Sequence, residues 1–264
     1  MKKGTVYTIL FAAILSAAIL PFNGCKKDEP TLFAEHDGIY FSASSDSLYY
    51  TFAKYPNRLS DTLKIPVTVL GNAAGKDRTI AIEKLSGADI NGTEGVHYKL
   101  LQPYALPAGK VSTMLPVVIY RTGDMDSLSI NFKFQLNANE NFVSGISSKT
   151  SLKIKVGYLQ KPATWGDLTG IQWAGYSANF GTWTRTKYKV VLNALYDPVS
   201  DTTVSEFPFS RFGPPAIYIQ YLQLVKNYIR TNYPGNYSIP RGIGATLRDP
   251  DNKDSVVQVG PANY

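Results

Sequence analysis

The 264-residue chain is poor in the residues that build reactive or metal-bound centres. It holds one cysteine, Cys25, and two histidines, His36 and His97. A single cysteine excludes an internal disulfide framework and any multi-cysteine zinc or iron–sulfur site. Two histidines are too few for a His-rich metal centre. Glutamate is scarce as well, with Glu29, Glu35, Glu83, Glu94, Glu140 and Glu206 making up the whole set. A glycoside hydrolase needs two carboxylates facing each other across a cleft, and Glu94 with Glu140 is a pair only in the sense that any two acids are. No Gly-x-Ser-x-Gly elbow and no Ser/His/Asp ordering is present. The sequence therefore names no catalytic residue, no metal site and no cofactor, and the expected protein is not an enzyme. Charge is sparse too. Charged residues make up 18% of the chain, and the net charge is +7 without a Lys/Arg cluster, so nucleic acid is not an expected partner. What is present is enough apolar residue, 44%, to fold a globular core.

The N-terminus reads as an address. Lys2 and Lys3 precede an apolar run from Val6 to Leu20, followed by Pro21-Phe22-Asn23-Gly24-Cys25. The run is shorter than the ~20 residues that span a bilayer, and its layout is that of a secretory signal over residues 1–24. The segment resembles a bacterial lipoprotein signal, which implies cleavage before Cys25 and diacylglycerol on its thiol. Phe22 and Asn23 give the loose form that resembles lipoboxes of the Bacteroidota. Two or more acyl chains anchor a protein stably to a membrane. Residues 25–36 form the tether, and Lys27-Asp28-Glu29 resembles the Bacteroidota signal for display on the outside of the outer membrane. The mature chain would carry a net charge of +5, since only Lys2 and Lys3 among the charges are lost.

From residue 37 the chain alternates with the period of a strand, which buries one face and wets the other. Seven strands are predicted: 38–42, 48–53, 63–69, 80–82, 111–120, 128–136 and 152–158. Turn signals separate them at Gly71-Asn72, Asn91-Gly92, Pro107-Ala108-Gly109 and Gly123-Asp124. Seven short strands in about 120 residues predict an immunoglobulin-like β-sandwich over 37–159. Pro66 inside the third strand predicts that this strand is an edge.

Beyond Pro162 the period changes. Tyr188, Val191, Leu192 and Leu195 make a helical face. Ile217, Tyr221, Leu224, Val225 and Tyr228 make a second one, opened by Pro214-Pro215 and closed by Asn232-Tyr233-Pro234-Gly235. Residues 244–247 and 256–259 flank an acidic hairpin loop holding Asp249, Asp251 and Asp254. Lys253 stands at a ligand place of the EF-hand pattern and the required glycine is absent, so a turn is the better account. Residues 160–264 are thus expected to be a smaller α+β domain, and the whole a mainly β protein.

The order of several motifs resembles an uncharacterised family of Bacteroidota lipoproteins that carries a domain of unknown function. These are Cys25, Gly38-Ile39-Tyr40-Phe41, Gly92-Thr93-Glu94-Gly95-Val96-His97-Tyr98, Leu106-Pro107-Ala108-Gly109, Trp165-Gly166 and the run Phe180 to Tyr188. The resemblance implies association with SusC/SusD-type importers and capture of a glycan or peptide nutrient. It also allows an accessory subunit that docks on the importer without touching cargo. It implies no catalytic residue. The stretch before Tyr98 further resembles a Gly-x-Asp-Tyr signature of Calx-β-like sandwiches, but His97 replaces the Asp and removes a hard calcium ligand. A turn leading into a strand is the simpler reading.

Two sets of side chains suggest contacts. Trp165, Trp173 and Trp183 are all the tryptophans and lie within 19 residues, with Tyr176 among them. An indole or phenol ring stacks on the apolar face of a sugar and offers one polar atom, so these four are the candidate ligand-binding residues for an oligosaccharide or peptide. Separately, Ser47, Thr62, Ser127, Thr202 and Ser255 each follow an Asp in triplets that resemble the acceptor of Bacteroidota O-glycosylation. Asp-Ser/Thr pairs also mark turns before strands.

Overall fold

Alternation in the sequence becomes alternation in burial. Along Ile130–Asn137 every second side chain, Ile130, Phe132, Phe134 and Leu136, is buried, and the residues between them are not. The computed structural model describes residues 37–165, 180–207, 216–240 and 242–260, and the fold of these residues is mainly β. The strands are β1 (Gly38–Phe41), β2 (Ser47–Thr51), β3 (Ser60–Leu70), β4 (Arg78–Leu85), β5 (Tyr98–Leu100), β6 (Tyr104–Leu106), β7 (Ser112–Tyr120), β8 (Ile130–Asn137), β9 (Val143–Ser144), β10 (Ser151–Gly157), β11 (Arg248–Asp249) and β12 (Ser255–Val256). The α-helices among the described residues are α1 (Arg185–Ala194) and α2 (Ile217–Asn232).

Ten strands form two five-stranded sheets, in the orders β5-β7-β3-β1-β9 and β2-β10-β8-β4-β6. All seven predicted strands are there. The short β5, β6 and β9 were not foreseen, because two or three residues are too few to show a period. Most neighbours are antiparallel, but β2 runs parallel to β10 and β9 parallel to β1. The inward rows of both sheets belong to one core. Ile65, Val67, Val117 and Ile119 come from the first sheet, and Ile82, Phe132, Phe134 and Ile154 from the second. Tyr98 stacks on Phe132 at 4.5 Å and meets Phe134 edge-on at 5.3 Å. The Tyr104 hydroxyl on β6 donates to Pro116 O on β7 at 2.7 Å and so links the sheets.

The expectation for Pro66 is corrected. Its strand, β3, lies between β7 and β1 and is not an edge. Pro66 O accepts from Ser42 N at 3.0 Å, just past the end of β1. In an antiparallel ladder N–H and C=O of one residue point to the same neighbour. The missing N–H would face Ser42 as well, one residue past β1, so the only bond lost is at the end of the ladder and those within β1 are kept.

At the β1–β9 contact two backbones touch. A Cβ on Gly38 would stand 2.9 Å from Gly145 Cα, and one on Gly145 would stand 2.8 Å from Ile39 O. Only glycine allows this approach.

The helices form where the 3.6-residue period predicts them, and they join the same core through Tyr188, Val191, Leu192, Val225 and Ile229. The buried line of α2 is nevertheless Tyr218–Val225–Ile229, while Ile217 and Leu224 of the predicted stripe are exposed. The helix is rolled relative to the sequence reading because Tyr218, not Ile217, supplies the large buried ring. Pro214 and Pro215 lie outside the described residues. The hairpin also forms, but β11 and β12 reach further into the acidic loop than predicted. Among the described residues no helix is long and apolar enough to cross a membrane. Cys25 lies outside them.

Candidate functional site

The acidic hairpin, which the sequence leaves without a role, docks on the N-terminus of α1. Thr184 is the N-cap of α1, and its hydroxyl accepts from Lys187 N at 3.2 Å. The same hydroxyl donates to the buried Asp249 Oδ2 at 2.5 Å. Asp251 accepts from Arg185 Nε at 2.9 Å, from a second Arg185 guanidinium nitrogen, and from Arg185 N at 3.3 Å. The first turn of α1 has no acid of its own. Asp249 and Asp251 place negative charge there from another part of the chain, where the helix dipole favours it. The Arg185 hydrogen bonds hold the Asp251 carboxyl below the usual carboxylate range.

Two clefts lie on either side of the Arg185–Asp251 pair. The first holds about 370 Å³. Its walls are Leu159 and Asp126 from the sheet side, Lys189 and Asn193 from α1, Tyr228 and Tyr233 from the end of α2, and Leu247 from the hairpin. The second holds about 500 Å³ and is lined by Thr182, Trp183, Lys187 and Asn252. Burial pushes the Lys187 amine down, and its Nζ donates to Thr182 O at 3.0 Å. The combination of partly exposed aromatic rings and a few convergent polar groups is that of a small-ligand site.

The predicted aromatic set is divided by the structure. Trp183 lines the second cleft and is half-buried, but its Nε1 is buried without a hydrogen-bond partner among the described residues. It offers a ligand its ring and not its N–H. Trp165 is corrected from ligand contact to core. It is 0% exposed, its Nε1 donates to Gly181 O at 3.1 Å, and Phe180, Tyr188 and Phe207 pack edge-on around it. Trp173 and Tyr176 lie outside the described residues. Tyr228 and Tyr233 were not singled out as ligand contacts, because at helical spacing a tyrosine reads as packing.

His97 is buried. Its Nδ1 accepts from Thr93 N at 2.9 Å, and its Nε2 lies 3.0 Å from Asp124 Oδ2. The Asp124 carboxyl is held low by Thr122 first and His97 second. His97 thus ties two loops together in a turn before β5. Glu94 lies in the loop before β5 and Glu140 in the β8–β9 turn, and neither lines a cleft described above. Among the described residues no group of three or more His, Cys, Asp or Glu is placed to hold a metal ion. Of the candidate glycosylation sites, Ser47, Thr62 and Ser127 are exposed, while Thr202 and Ser255 are half-buried. The Ser127 hydroxyl donates to Asp124 O at 3.2 Å, as a turn residue does.

A family model described as "Domain of unknown function (DUF4843)" matches residues 33–196, ending just past α1. No curated protein matches the chain. Among solved structures, a candidate carbohydrate-binding protein from Bacteroides ovatus is similar at 12% identity and TM-score 0.34, over 46% of this chain and 36% of its own. A Bacteroides ovatus protein of unknown function matches at 14% identity and TM-score 0.37, over 47% and 45%. The Calx CBD2 domain matches at 10% identity and TM-score 0.34, over 47% and 87%. The chain spans less than half the length of the two Bacteroides ovatus proteins.

Proposed function

The chain belongs to the family of the domain of unknown function DUF4843, and from its own geometry we propose that it is a non-enzymatic, glycan-binding lipoprotein of the outer-membrane surface. The observation that carries this reading is the 370 Å³ cleft, where Tyr228 and Tyr233 flank Asn193, Lys189 and the Arg185–Asp251 pair. Tyrosine rings fit the apolar face of a pyranose, and amide, amine and carboxylate groups suit its hydroxyl rim. Asp251 is held as a carboxylate by Arg185, so at neutral pH it accepts hydrogen bonds and does not donate a proton.

In this reading Cys25 carries the lipid anchor. The two sheets of residues 37–159 act as an immunoglobulin-like sandwich that raises the site from the membrane, and residues 160–264 act as the α+β domain that presents it. The glycan is passed to a SusC/SusD-type importer. Calorimetric titration with neutral oligosaccharides tests the site. Y228A and Y233A should each weaken binding by about tenfold, or ~1.4 kcal/mol. Unchanged affinity in both variants would remove the cleft from the account. Protease added to intact cells should release the protein if it faces outward.

One observation favours a second reading. Ile217 and Leu224, seven residues apart and so on one face of α2, are exposed by 40% and 51%. This apolar face suits docking on the importer itself. Co-purification of a β-barrel importer, lost on L224D with glycan affinity intact, would favour that role.

A further inference from the structure

The outer face of the second sheet carries a different set of groups. Register places Lys155 beside Tyr49 and Asn131, and Lys153 beside Ser47 and Lys133, all on the side away from the core. Tyr49, on the edge strand β2, is 57% exposed. Its hydroxyl leans toward Gly157, where a Cβ would stand 3.2 Å away. The absence of a side chain there leaves a bare floor beside the ring. Gln160 closes that floor and is locked in place. It accepts from Tyr158 N at 2.7 Å and donates to Met125 O and Leu128 O at 2.9 and 2.8 Å. Pro162, Ala163 and Glu206 form the opposite wall of a groove of about 590 Å³.

The groove lining holds Lys153, Lys155 and Lys161 with Glu206, and Lys133 and Asp89 border it. Lys133 and Lys153 face each other across β8 and β10, an arrangement that destabilises a sheet. Asp89 pairs with Lys153 and its carboxyl is held low by that contact first and by Lys133 less. Lys155 is exposed and makes no ion pair among the described residues. A free ammonium next to an open aromatic ring is a pairing that neither neutral sugars nor the fold requires. Partial burial pushes the Tyr49 phenol up, so its hydroxyl is a donor at neutral pH.

We propose that this face is a second binding site, and that its ligand is an acidic oligosaccharide whose sugar ring stacks on Tyr49 while its carboxylate pairs with Lys155. Glu206 and Asp89 stand within the same surface. They repel dense polyanions such as nucleic acid or a phosphate-rich membrane, yet they accept hydrogen bonds from sugar hydroxyls. One carboxylate per ring suits a lining in which lysines at 153, 155 and 161 stand beside a single carboxylate, Glu206. The site is separate from the cleft between α1, α2 and the hairpin, and it stands or falls independently of it.

The test uses the full chain in neutral detergent, titrated by calorimetry with a tetramer of galacturonic acid and, in parallel, with a tetramer of galactose. The uronate tetramer should bind and should weaken as salt rises toward 0.5 M, because the pairing is exposed. K155E and Y49A should each lower its affinity by about tenfold or more, with unchanged melting temperature and unchanged affinity for any neutral glycan held by the other cleft. No uronate binding, equal binding by wild type and both variants, or tighter capture of short DNA or anionic vesicles through the same two residues would overturn the proposal. Loss of neutral-glycan binding alone would count against the cleft and leave this site standing.

Discussion

In the two sheets the buried positions are nearly all apolar and recur at every second residue, as in Leu152, Ile154 and Val156 of β10. From residue 180 onward the interior also contains polar pins. Asn236 is 0% exposed. Its Oδ1 accepts from Leu247 N at 2.8 Å and its Nδ2 donates to Leu247 O and Val257 O at 3.0 and 2.7 Å. Thr203 Oγ1 donates to Leu192 O at 2.7 Å and Tyr188 Oη to Ser205 O at 2.8 Å. Apolar burial is non-directional and tolerates small shifts. A side chain that satisfies three backbone groups fixes one geometry, and fails if any partner moves. The sheets thus set how stable the protein is, and the pins set where the clefts lie.

That contrast can be broken by mutation. The largest effect is expected from F132A in the shared core, about 3–5 kcal/mol. Urea unfolding should shift with a single coincident transition for every probe. N236A should cost less, ~1–3 kcal/mol, since it strands buried backbone groups. Its effect should be local, with faster hydrogen exchange at Leu247 and Val257 and little change at Phe132 or Ile154. If exchange rises equally in the sheets, the pin acts only through global unfolding and the contrast collapses. T184A removes both the N-cap of α1 and the Asp249 contact, and about 1–2 kcal/mol is expected, read as faster exchange in the first turn of α1.

The smallest effect comes from acid. The folded Asp251 carboxyl titrates below its ordinary value of 3.8, so its contribution is complete above that value and is lost as pH falls through the lower folded value. Hairpin docking, followed through the fluorescence of Trp183, should loosen only below about pH 4. D251N should remove this pH step, and persistence of the step in D251N would reassign it to another carboxylate.

Much of the sheet region was legible because burial alternates there with the period that a strand imposes. Leu128 to Leu136 announced β8 by its pattern alone, and Leu152 to Tyr158 announced β10. Pro66 misled because a missing N–H matters only where a neighbour needs it, and neighbour order is a long-range fact. The ligand site was less legible. Trp165 and Trp183 have similar local sequence surroundings, yet one is enclosed by Phe180, Tyr188 and Phe207 and the other lines a cleft. Asp249 and Asp251 looked like loop acids, since nothing in their own segment reveals that α1 arrives without a first-turn acid. Tyr49 reads as one more strand residue until Gly157 is seen beside it.

The backbone contact between Gly38 and Gly145 has a consequence for sequence drift. Each position excludes even a methyl group, and each excludes it because of the other strand. Neither can be relieved by changing a neighbouring side chain, since the atoms in the way are main chain. Family members that diverge freely on the outer faces of the sheets should keep glycine at both places, and a saturation scan should find these two sites among the least permissive in the chain. The β1–β9 crossing would then serve as a fixed point for aligning distant members whose ligand-facing residues have nothing in common.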